Sequence, residues 1–68
     1  MIIQILQYEK PVLDYHYAGD HEEITPHLIE SISKVSSKLV LNGRLEKGYF
    51  SIRMIDGDEV LDEVISMA

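Results

Sequence analysis

Thr25-Pro26 and Asn42-Gly43 bracket the middle of this chain as a single helix, and whatever the flanks form has to cover that helix. The Thr25 hydroxyl suits an N-cap, and Pro26 falls at the first helical position, where its missing N–H costs nothing. Asn42-Gly43 supplies the left-handed residue at which helices commonly stop. Between these signals Leu28, Ile29, Ile32, Val35, Leu39 and Val40 recur at steps of three and four and make one apolar stripe. On the polar side Glu30 precedes Lys34 by four residues, and Lys38 follows one turn later, near the negative end of the helix dipole.

The flank before the helix reads as two antiparallel strands. IIQILQY is dense in isoleucine, Glu9-Lys10-Pro11 interrupts it, and in VLDYHYA the residues Leu13, Tyr15 and Tyr17 alternate with Asp14 and His16. A period of two sorts the first strand into Ile2, Gln4, Leu6 and Tyr8 on one face and Ile3 and Ile5 on the other. Both faces of that strand are apolar enough to want cover, yet helices on one side of a lone sheet leave the other side wet.

After the helix, YFSIRMI alternates Phe50, Ile52 and Met54 with Tyr49, Ser51 and Arg53 and reads as a third strand. The closing stretch MIDGDEVLDEVISMA is ambiguous. Val60, Leu61, Val64, Ile65 and Ala68 fall on a helical stripe, with Asp56 and Glu59 spaced as a capping pair and Asp58 in the first turn. Asp56-Gly57 is also a hairpin turn signal, and Val60, Val64 and Ile65 are β-branched. The helical period predicts a second helix; the alternative is a fourth strand. The expected fold is therefore α+β, one domain over residues 1–68, a small mainly antiparallel sheet in the order β-β-α-β-α, or ββαββ if the chain closes with a hairpin.

A chain of 68 residues has a thin core, and with no cysteine it has neither disulfides nor thiolate metal sites to reinforce it. The remaining routes are unusually good packing or burial against another chain, and the second is favoured, so a homodimer is expected. No basic segment precedes a long apolar run, which predicts neither a signal peptide nor a membrane span, and a cytoplasmic protein. The net charge of −6 opposes direct binding to nucleic acid or to an anionic membrane. That charge is segregated: residues 1–33 hold six acids and one base, 34–53 five bases and one acid, and 54–68 five acids and no base.

No catalytic, cofactor or metal constellation emerges. His16, His21 and His27 lack the spacing of a metal motif, and the acids of DGDEVLDE lack the alternation of a calcium loop. None of the serines lies on a nucleophile turn. KGYF begins like an RNA-recognition strand, but Tyr49 and Phe50 are adjacent and so point to opposite faces. Tyrosine usage is more informative, because Tyr8, Tyr15, Tyr17 and Tyr49 suit a partner interface that is apolar in body and polar at its rim. The second candidate surface is the acidic face of the expected last helix, Asp58, Glu59, Asp62 and Glu63. These features predict a small acidic interaction or regulatory module, homodimeric and without a cofactor. The alternatives are an acidic inhibitor that mimics nucleic acid on a basic protein surface, and a small enzyme or ligand-binding domain whose site forms only on oligomerisation.

Overall fold

The computed structural model describes residues 1–68. Strands β1 (Ile2–Gln7) and β2 (Lys10–His16) form the first hairpin, and a 3-10 turn at His21–Glu23 leads into helix α1 (Pro26–Leu41). Strands β3 (Tyr49–Asp56) and β4 (Glu59–Met67) form a second hairpin. The four strands make one antiparallel sheet in the order β2-β1-β3-β4, so the two hairpins meet along β1 and β3. The class is α+β, and the order is ββαββ.

The expected C-terminal helix is thus replaced by a strand, for three physical reasons. Gly57 has a φ of +60°, and Asp56 pairs with Glu59 across the two-residue turn Gly57-Asp58, which places glycine where a type II′ hairpin turn needs it. As a strand, β4 pairs with β3 along its whole length from Tyr49 to Asp56; a detached helix would leave those backbone groups without a ladder. The misleading helical period comes from a β-bulge. Met54 pairs with Asp62 and Ile55 with Val60, so Leu61 is the extra residue, and Val60 leaves the face that Asp62 and Val64 share. β2 carries a matching irregularity, since Ile5 pairs with Leu13 and Leu6 with Pro11, with Val12 left over.

The helix begins and ends where its signals lie. Thr25 Oγ1 accepts from the Leu28 N–H at 3.2 Å, and Pro26 opens the first turn. Gly43, at φ +72°, lets the Arg44 and Gly43 N–H groups close back on the carbonyls of Leu39 and Val40, satisfying the last turn of the helix. α1 buries Ile32, Ser36 and Leu39 against Ile3 and Ile5 of β1 and Phe50, Ile52 and Met54 of β3, and Leu45 closes the end. The core lies under the two central strands. Leu13 and Tyr15 of β2 and Val64 of β4 only fringe it, and no residue of β4 is buried. No helix is long and apolar enough to cross a membrane.

The turn of the first hairpin is unusual. Its central residues, Tyr8 and Glu9, have φ of 54° and 63°, the left-handed pair that a type I′ turn requires and that asparagine and glycine normally supply.

Candidate functional site

With α1 on one side only, the other side of the sheet is bare. The Ser66 hydroxyl donates to Ser33 Oγ of α1 at 3.2 Å, so Ser66 faces the helix and its neighbours Ile65 and Met67 face away. Alternation places Ile2, Gln4, Leu6, Asp14, His16, Tyr49, Ser51, Arg53, Ile55 and Glu63 on the same open side. Its middle row is polar: the Gln4 amide donates to Asp14 Oδ1 at 3.1 Å, and Arg53 Nε donates to Glu63 Oε2 at 2.9 Å. Arg53 Nη2 also lies 3.7 Å from Glu9 Oε2. The Arg53 guanidinium holds the Glu63 carboxyl below its usual value.

Around this row the surface is apolar, mainly on the β3–β4 half. Tyr49 is 72% exposed, Met67 66%, Ile65 60% and Val60 49%. Next to them Leu6 forms the floor of a cleft of about 130 Å³ walled by Tyr8, Tyr49, Arg53 and Ile65. A sheet face with large apolar side chains left in water is suited to contact with another protein surface.

The four tyrosines do not form one surface. Tyr8 and Tyr49 stand exposed at the same end of the sheet. Tyr15 and Tyr17 lie on the helix side, packed against the core, where burial raises the Tyr15 phenol above its usual value. The acids of the last segment are divided as well. Asp58 sits in the turn and Glu59 opens β4, while Asp62 faces the helix side, 3.5 Å from His21 Nε2, and Glu63 faces the open side with Arg53. They were expected along one helical face; in a bulged strand they point in opposite directions.

Folding gathers charge that the sequence keeps apart. Asp56, Asp58 and Glu59 of the second hairpin come to the end of the sheet where Ile2 pairs with His16, which is also the end that Asp20, Glu22 and Glu23 flank. Six carboxylates thus share one end, none of them paired with a lysine or arginine, while Lys10, Lys38, Arg44 and Lys47 lie toward the other. At the acidic end a cleft of about 550 Å³ opens between the 3-10 turn, the start of α1 and β4, lined by His21, Glu22, Thr25, Met54, Asp62 and Val64 among others. No three His, Asp or Glu side chains converge there or elsewhere as metal ligands.

Reading the sequence did not single out Ile65, Met67 or the Arg53–Glu63 pair as surface features. The available signal was the Asp56-Gly57 turn, but a regular hairpin closed at Asp56 and Glu59 would set Arg53 across from Asp62, and only the bulge at Leu61 brings Glu63 opposite it. The molecule belongs to the class of small two-layer α+β domains with one uncovered sheet face. No family model, curated protein or solved structure matches it.

Proposed function

We propose that this chain is a small acidic interaction module that self-associates and meets its partners through the open face of its sheet. The observation that carries this reading is the uncovered face itself, where Tyr49, Val60, Ile65 and Met67 remain 49 to 72% exposed beside a paired arginine. A domain with only 11 of 68 residues buried gains much from covering such a face. The reading assigns no catalytic residue and no cofactor. Sedimentation velocity across the micromolar range, joined to affinity capture from the native cell, tests it. Self-association together with a specific captured protein supports it, and a 7.8 kDa monomer that captures nothing removes it.

A second reading follows from the acidic end. Six carboxylates that no lysine or arginine pairs would attract a basic protein surface, as an inhibitor that stands in for nucleic acid would. Reversal of Asp58 and Glu59 to lysine separates the two. It slows capture and flattens its salt dependence if the acidic end is the working surface, and leaves capture unchanged if the open face is.

A further inference from the structure

The exposed apolar side chains of the open face are off-centre, and the charges between them have a fixed order. Tyr49 belongs to β3, and Val60, Ile65 and Met67 belong to β4; β1 and β2 contribute no comparably exposed aliphatic side chain. Across the middle of the sheet the open-face row runs Asp14, Gln4, Arg53, Glu63.

We propose that this face takes a second copy of the chain, face to face about a twofold axis that runs along the strands between β3 and β4, so that each Arg53 lies over the partner's Glu63. The inference rests on the reading of the chain as a self-associating module and gives that association its geometry. An axis between β1 and β3 would lay Glu63 over the partner's Asp14, carboxylate on carboxylate. An axis across the strands through this row would set Arg53 on the partner's Arg53 and Glu63 on the partner's Glu63. Between β3 and β4, by contrast, the same operation closes two arginines and two glutamates into a ring of alternating charge. It also brings Tyr49 over the partner's Met67 and Ser51 over the partner's Ile65, so that the apolar parts cover each other.

Association through the sheet edges is disfavoured. On one edge β2 presents Lys10, Pro11 and the irregularity at Val12; on the other β4 presents the bulge at Leu61 with Glu59, Asp62 and Glu63 close by. Proline, charge and bulges are the devices that keep an edge from pairing with another strand, and two copies of β4 would oppose acid with acid. The nine residues of β4 span roughly 30 Å, and two strands of that length give a contact of roughly 1,000 Å² in total, the small end of specific interfaces. A reversible dimer in the micromolar range is therefore expected.

The test uses native mass spectrometry and sedimentation velocity on Arg53→Glu, Glu63→Arg, the two changes combined in one chain, and Ile65→Lys, with circular dichroism to confirm folding. Each single variant is expected to raise the dissociation constant at least tenfold. An equimolar mixture of Arg53→Glu and Glu63→Arg is expected to form a heterodimer, and the combined variant, which keeps the pair within each subunit, to dimerise again. If wild type dimerises but the single variants do so equally well, or if neither the mixture nor the combined variant recovers association, the geometry is overturned while self-association stands. A wild-type monomer at every concentration overturns both.

Discussion

Gln7 and Glu46, thirty-nine residues apart, bond to each other in both directions: Gln7 Nε2 donates to the Glu46 carbonyl at 2.9 Å, and the Glu46 N–H donates to Gln7 Oε1 at 2.8 Å. The same Nε2 reaches the Tyr49 carbonyl at 3.2 Å. A buried amide side chain thus serves as a short stand-in for a strand and fixes the loop between α1 and β3. Gln7→Leu fills the space but leaves three backbone groups without a partner, and is expected to lower stability by about 2 kcal/mol. Urea unfolding measures it; an unchanged midpoint would mean that water replaces the amide freely.

Tyr8 and Glu9 hold left-handed backbone that costs roughly 1 to 2 kcal/mol at a residue with a side chain. Exchanging them for Asn-Gly is expected to raise stability by about 1 kcal/mol, because the only ion pair lost, Glu9 with Arg53, is long and exposed. Thermal unfolding reads the gain. A lower midpoint would show that the Tyr8 side chain contributes more than its backbone costs.

Gly57 distinguishes a hairpin from a helix at the end of the chain. At the start of a helix, Gly57→Ala would stabilise; at a φ of +60° in a turn, it is expected to destabilise by about 1 kcal/mol. The sign of the change, from denaturant titration, is the result that matters.

Glu63 carries a pH dependence whose direction follows from its depressed pKa. The folded state holds its proton less tightly than the unfolded chain does. The stabilisation is therefore complete above the ordinary carboxylate value and is lost as pH falls through the lower folded value. Carbon-detected NMR titration should find Glu63 below its usual range in wild type and returned toward it in Arg53→Met. If the two titrations coincide, the 2.9 Å contact is not maintained in solution.

Much of this architecture was legible before the structure. Thr25, Pro26, Asn42 and Gly43 frame α1 because caps are local chemistry, and the alternation of Phe50, Ile52 and Met54 marks the core face of β3 because a strand repeats every two residues, whereas in β1 the same period separates Ile3 and Ile5 from Ile2 and Leu6 without saying which set the helix covers. The last segment was not legible, since one extra residue at Leu61 changes the phase of everything before it, and periodicity assumes that no residue is extra. The open face was foreseen only as a surplus of isoleucine in β1. Its exposed half lies on β4, whose side chains could be assigned to a face only after the bulge was known. The clamp from Gln7 was invisible, because a glutamine says nothing about which loop will come within its reach.

The gathering of six carboxylates at one end gives the molecule a direction. Its dipole runs along the strands, parallel to the open face rather than through it, so a positively charged surface would seize the domain by its tip and stand it upright with the flat side uncovered. A chain built in this way can be tethered and engaged at the same time: immobilised on an anion exchanger, it should still present Ile65 and Met67 to whatever flows past.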